Sequence, residues 1–155
     1  MRFSMIASIP LLFLSALTSA APITMPVSIE ARATTSTQIY YLVNCFNNIT
    51  NAAYAEIDHY STKSLSLAGQ TPTEKAIINT SESVDYEDGT WTATTPFAIT
   101  AVIGEDAYTA KAGAKVGTAT VSSSTTAFTC VRLKRFVLYE PKADEQCYTD
   151  YACQA

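Results

Sequence analysis

Beyond residue 38 the chain alternates between apolar and polar positions with a period of two, and this alternation predicts strands. Over 39–46, Ile39, Tyr41, Val43 and Cys45 fall on one face and Tyr40, Leu42, Asn44 and Phe46 on the other. Both faces are largely apolar or aromatic, so this strand is expected to be central and covered on both sides. A turn follows at 47–51. Over 52–60, Tyr54, Glu56, Asp58 and Tyr60 alternate with Ala53, Ala55, Ile57 and His59, the pattern of a sheet with one solvent-facing side. Residues 61–70 read as a polar loop. Thr71-Pro72-Thr73-Glu74 matches a capping box with proline at the first helical position, predicting one or two helical turns over 72–78.

Asp88-Gly89 favours the positive backbone angles of a type I′ turn, predicting a hairpin over 83–95 with Tyr86 opposite Trp91 and Val84 opposite Ala93. Strands are expected over 97–103, 117–122, 126–133 and 135–140. Residues 104–113 fit both periods, with Tyr108, Ala110 and Ala112 slightly favouring a strand. Residues 141–155 read as a tail pinned by cysteines. Many short strands with few helical signals give an all-β, mainly antiparallel fold, a small sandwich or barrel with one or two short helices.

The N-terminus changes the picture of where this domain works. Arg2, an apolar run over 6–17 and the small residues Thr18-Ser19-Ala20 have the form of a signal peptide cut after Ala20. The run is shorter than the roughly 20 apolar residues that span a bilayer, so no membrane span is expected. Residues 21–37, with Pro22, Pro26 and a Ser/Thr-rich stretch, read as a flexible linker or propeptide, with Arg32 a candidate processing point and the hydroxyls candidate O-glycan acceptors. Residues 38–155 then form one domain. Its composition, 48% hydrophobic and 15% charged over the whole chain, is globular.

Four cysteines, Cys45, Cys130, Cys147 and Cys153, suit two disulfides in an oxidising compartment. Three pairings are open, and Cys45 with Cys130 plus a local Cys147 with Cys153 is the favoured one. Zinc is disfavoured, because the spacing lacks the close ligand pairs of structural sites and the chain has one histidine. The sequons Asn48-Ile49-Thr50 and Asn79-Thr80-Ser81 mark Asn48 and Asn79 as candidate glycosylation sites.

Candidate chemistry is sparse. His59 follows Asp58, but neighbours on a strand point to opposite faces, so they do not pair directly and His59 reads as structural. No serine lies in a Gly-x-Ser-x-Gly elbow. Glu56 and Asp58 lie two apart on one strand face, about 7 Å between Cα atoms, near the carboxyl spacing of inverting glycosidases. They are the candidate catalytic pair, with Tyr54 and Tyr60 as flanking candidate binding platforms, although charge alternation on the solvent side of a strand is the commonest reason for the same pattern. Asp85, Glu87 and Asp88 lack the spacing of a calcium loop. From Ala21 onward nine basic residues face 14 acidic ones, which disfavours nucleic acid. Arg132, Lys134 and Arg135 form the one basic cluster, read as a solvated strand end. No cofactor is implied.

The leader, the Glu30-Ala31-Arg32 junction and one compact domain with four cysteines resemble in layout the small secreted, cysteine-bearing proteins of filamentous fungi. That resemblance implies an extracellular protein, free or associated with the cell wall. The leading expectation is a secreted, non-enzymatic binding or host-interaction module whose partner is an extracellular protein or carbohydrate surface, using exposed tyrosines among the nine available. The alternatives are a small extracellular glycan hydrolase using Glu56 and Asp58, and a cell-wall structural protein.

Overall fold

A computed structural model describes residues 37–155; the leader, the linker up to residue 36 and the processing point at Arg32 lie outside the described residues. The alternating segments form eight strands and one short helix: β1 (Ile39–Asn47), β2 (Ala53–Tyr60), α1 (Lys63–Leu67), β3 (Glu74–Asn79), β4 (Gly89–Ala93), β5 (Ile99–Ile103), β6 (Lys115–Val121), β7 (Phe128–Lys142) and β8 (Glu145–Gln154). They make one antiparallel sheet in the order β3-β2-β1-β8-β7-β6-β5-β4, whose two edges approach each other so that the sheet is nearly closed into a barrel. The all-β, disulfide-stabilised class expected from the alternation is the class found.

The sheet covers two separate cores. Inside the barrel lie Tyr40, Leu42, Ala55, Ile57, Ile99, Ala101, Ile103, Phe128, Tyr151 and their neighbours. On the opposite face of β1 and β2 lies a second core of Ile39, Tyr41, Val43, Tyr60, Leu138, Tyr139 and Ala152. Strand β1 is therefore buried on both sides, as its doubly apolar pattern predicts. The second core exists because β7 bends. From Arg132 to Lys142, ten steps of β7 run alongside only six steps of β8, from Tyr151 to Glu145, with the register slipping at three places. Each extra residue is a bulge that bends the strand and adds twist. The second half of β7 thus curls back over the outer face of β1 and β2, carrying Phe136, Leu138 and Tyr139 with it.

A bulge on β8 matches this bend. Leu42 pairs with Tyr151 but Val43 pairs with Thr149, so Asp150 is the extra residue. Thr149 is buried and satisfies the local backbone: its hydroxyl donates to Leu42 O at 2.8 Å or to Tyr151 O at 2.9 Å and accepts from Tyr151 N at 3.3 Å. Asp150 itself is held by two arginines. Arg132 Nη1 lies 2.7 Å from its Oδ1, and Arg135 Nη2 and Nε lie 2.6 and 2.9 Å from its Oδ2. The basic cluster is therefore not a solvated strand end at these two positions but a clamp on the bend; Lys134 between them is exposed.

Both disulfides join directly opposed residues of neighbouring strands, Cys45 with Cys147 across β1 and β8 and Cys130 with Cys153 across β7 and β8. The favoured pairing is corrected for two geometric reasons. β8 lies between β1 and β7, which puts those strands about 9.5 Å apart, beyond disulfide reach. Cys147 and Cys153 sit six residues apart on one strand, about 20 Å, and cannot meet. Because the Asp150 bulge reverses the face of the strand, Cys147 enters the outer core and Cys153 the barrel interior, so each core holds one bridge.

Other expectations are corrected as well. Residues 141–155 are not a tail: they contain the central strand β8. The strands expected at 126–133 and 135–140 are one long strand, β7. Residues 72–78 are not helical, because β3 pairs with β2 through Ala76 opposite Ile57 and Glu74 opposite His59, and this ladder outweighs the local capping signal. The helix falls instead in the presumed loop, at α1. Residues 104–113 form successive turns, with Ala107 N donating to Gly104 O and Ala110 N to Ala107 O.

The hairpin over 83–95 is also absent. Residues 83–86 carry no strand pairing and instead cross one end of the barrel, where the Asn44 side chain donates to Val84 O and accepts from Val84 N, both at 2.9 Å. Tyr86 and Trp91 still meet edge to face, centroids 5.1 Å apart, and Trp91 Nε1 donates to Tyr86 O at 2.8 Å. The indole lies against Gly89, where a Cβ would come within 2.4 Å of Nε1. Gly117 is tighter in consequence, since its Cβ would meet the Val102 carbonyl oxygen of the adjacent strand at 2.1 Å. Gly117→Ala is expected to cost about 1–3 kcal/mol through forced backbone displacement, whereas Gly104→Ala, with its nearest contact at 3.5 Å, should cost less; urea unfolding of both variants checks the order.

Candidate functional site

Alternation along β2 puts Tyr54, Glu56, Asp58 and Tyr60 on one face, as the sequence predicts, but that face is not exposed to solvent. Glu56, Asp58 and Tyr60 are fully buried and Tyr54 is half-buried. The curled half of β7 supplies the cover, which no local pattern on β2 reveals. Tyr54 and Tyr60 are not exposed platforms: Tyr54 donates to Glu145 Oε1 at 2.7 Å and Tyr60 to Gln70 O at 2.9 Å.

Tyr139 of β7 donates to Glu56 Oε1 at 2.5 Å, and Lys75 of β3 brings Nζ to 3.9 Å from Glu56 Oε2 and 3.4 Å from the Tyr139 hydroxyl. The sulfurs of Cys45 and Cys147 lie 3.4 and 3.9 Å from Glu56 Oε1 but, being bridged, have no proton to donate. The trio Cys45, Glu56 and Cys147 gathers metal-ligating atom types within 4.8 Å; with both sulfurs in a disulfide, it presents one carboxylate as a ligand.

Among the described residues no hydrogen-bond partner reaches Glu56 Oε2 or either oxygen of Asp58. Burial, and then the neighbouring Glu56 charge, push the Asp58 carboxyl well above the usual carboxylate range, opposed only in part by Lys75. Asp58 therefore keeps its proton to a higher pH than an exposed aspartate does, and the protonated form is the one that a dry core favours. Glu56, Asp58 and Lys75 then sum to no net charge, which makes the pair tolerable in a dry core. Desolvation raises Tyr54, Tyr60 and Tyr139 as well, so these phenols stay neutral.

As an active site this arrangement fails on access. The nearest depression, about 260 Å³, is lined by Thr71, Pro72, Thr73, Glu74, Lys75, Tyr139 and Pro141, so its occupant meets Lys75 and Tyr139 rather than either acid. His59 points to the other face, as expected. It stacks on Tyr40 at 4.8 Å, and its Nδ1 lies 3.2 Å from Oε2 of its cross-strand partner Glu74. Of the acids near the barrel end, Glu87 accepts a hydrogen bond from Tyr151, while Asp85 and Asp88 are exposed.

A more accessible site lies where residues 83–86, a plug held by Asn44, cross the barrel mouth. Asn44 and Phe46 continue the interior-facing positions of β1, and Tyr148, opposite Asn44, continues those of β8. The segment around Val84 closes the interior above them, leaving Phe46 and Tyr148 to line an open cleft of about 400 Å³ with Ser83, Asp85, Arg135 and Asp150. Its walls are fixed by the Asn44–Val84 hydrogen bonds on one side and by the Arg135–Asp150 pair on the other. Sequence reasoning missed this cleft because four separated segments, β1, residues 83–85, β7 and β8, build it. No family model, no curated protein and no solved structure matches the chain.

Proposed function

We propose that the protein is a secreted, non-enzymatic binding module whose ligand, a carbohydrate chain, lies in the cleft at the barrel mouth. The observation that carries this reading is the lining: two aromatic rings, Phe46 and Tyr148, beside the planar guanidinium of Arg135 and the carboxylate of Asp85. Sugars present apolar C–H faces and hydroxyl rims, which match aromatic faces bordered by charged hydrogen-bonding groups. Barrel mouths are common places for small-ligand sites, and a few fixed polar groups on rigid elements give orientation at small entropic cost. The burial of Glu56 and Asp58 argues against glycan hydrolysis by that pair.

Export is supported by the form of residues 1–20 together with the bridging of all four cysteines. Among the described residues no helix is long and apolar enough to cross a membrane. For glycan attachment, Asn48 is the favoured position. It is exposed on the β1–β2 turn, whereas Asn79 is half-buried with its side-chain oxygen accepting from Ser81 N and Glu82 N.

Titration of the ¹⁵N-labelled protein with soluble oligosaccharides tests the proposal. Shifts are expected at Asn44, Phe46, Asp85 and Tyr148, with affinity about tenfold lower in Phe46→Ala, roughly 1.4 kcal/mol. Shifts confined to other surfaces, or an unchanged affinity in Phe46→Ala, would overturn it.

A further inference from the structure

The buried acid pair has no role in the cleft, and it lies beneath the one part of the sheet that curls out of the barrel. We propose that Glu56 and Asp58 form a one-proton lock that holds an arm, residues 136–142 of β7, against the outer face of β1 and β2, and that loss of the proton releases the arm. The register of this β7 segment against β8 is broken by bulges, so it can lift without breaking the ladders of β4, β5 and β6 or the β1–β8 ladder, which the Cys45–Cys147 bridge ties down. Tyr139 is its contact with the pair, through the 2.5 Å bond to Glu56. With Asp58 protonated, this contact closes over a region with no net charge. With both acids ionised, two negative charges would share a dry core with one cation, and that cation, Lys75, is nearly half exposed.

Among the described residues, the groups facing the pair from every packed element offer no second cation. β1 contributes Tyr41 and the bridged Cys45, β2 Tyr54 and Tyr60, and β3 Lys75. β7 contributes Tyr139, and β8 the bridged Cys147 and Glu145, the latter bonded to Tyr54. Tyr86 reaches the backbone of Glu56, and α1 presents Ser66, bonded to Tyr41. Opening the arm hydrates Asp58 and removes the burial that raises it, so wherever Asp58 is protonated in the closed state and ionised in the open one, the closed state holds one more proton. The closed state is therefore most favoured in acid, and its advantage falls as the pH rises.

The arm pairs with Tyr148 through Val137, so its release would loosen one wall of the cleft. That consequence rests on the cleft being a binding site, but the lock is measured without ligand, and failure of either leaves the other's test intact. Hydrogen exchange of the disulfide-intact protein, corrected for the intrinsic pH dependence of amide chemistry, reads the opening directly. Protection over 136–142 is expected to fall, by at most about tenfold per pH unit, as the pH rises above the ordinary aspartate value of about 3.9, ahead of any loss over 99–103 in the barrel. In Asp58→Asn, which removes the titrating group, the slope should vanish, and in Glu56→Gln, which leaves Asp58 buried but removes the neighbouring charge, it should weaken. A pH-independent protection in the unaltered protein, equal loss in arm and barrel, or an unchanged slope in whichever variant folds would each overturn the proposal.

Discussion

Replacing Cys45 and Cys147 together by alanine lowers the unfolding free energy by about 4–5 kcal/mol in the chain-entropy account, because this bridge closes the longer loop. Its sequence separation is 102 residues, against 23 for Cys130–Cys153, whose removal is expected to cost about 3 kcal/mol. The order follows from loop length, and the two sites are otherwise comparable: both pairs are fully buried and both join adjacent strands of the sheet. Guanidinium unfolding of the two double variants measures the difference. Equal losses, or a greater loss on removing Cys130–Cys153, would show that the bridges act mainly through native packing rather than through the unfolded chain.

Asp150→Ala should be nearly as damaging. The carboxylate is shared by Arg132 and Arg135, and the side chains of Asp150 and Arg132 are both only 11% exposed. Removing one partner of a largely buried ion pair leaves the other charge without compensation, at a cost of about 3–5 kcal/mol. Arg132 keeps its bonds to the carbonyls of Leu133 and residue 150 and its place over the rings of Tyr108 and Tyr151, so the lower half of that range is expected. Arg135→Ala is the contrast. That side chain is 58% exposed, and its loss should cost under about 1 kcal/mol. Thermal unfolding of the two variants separates a clamp on the bend from a solvated pair, since a solvated pair would give two small and similar losses.

The parts of the fold that could be read from the sequence are those where a strand's own pattern decides its environment. The unbroken apolar and aromatic run of β1 requires cover on both faces and receives it. The alternations of β2, β5 and β6 define faces that the structure keeps. β8 was hidden by its polar letters, although Cys147, Thr149, Tyr151 and Cys153 recur at every second position. That regular spacing also misleads, because the Asp150 bulge places the two cysteines on opposite faces.

Bulges were the main thing the sequence withheld. They depend on the difference in length between paired strands, and no single segment encodes that difference. Without the bend in β7, Glu56 and Asp58 would face water as their charge suggests; with it, they lie under Tyr139. The cleft was hidden for a related reason, since Phe46, Asp85 and Tyr148 come from three segments that only the plug and the register of β1 with β8 bring together.

The side-chain carboxyl ¹³C resonance of Asp58, assigned by its loss in Asp58→Asn and followed from pH 3 to pH 9, tests the two-core account most directly. The account predicts a carboxyl that ionises well above the ordinary aspartate range, because burial and the Glu56 charge both oppose its ionisation. Ionisation near the ordinary aspartate value of about 3.9 would contradict it, placing Asp58 in water and leaving the outer core without its cover.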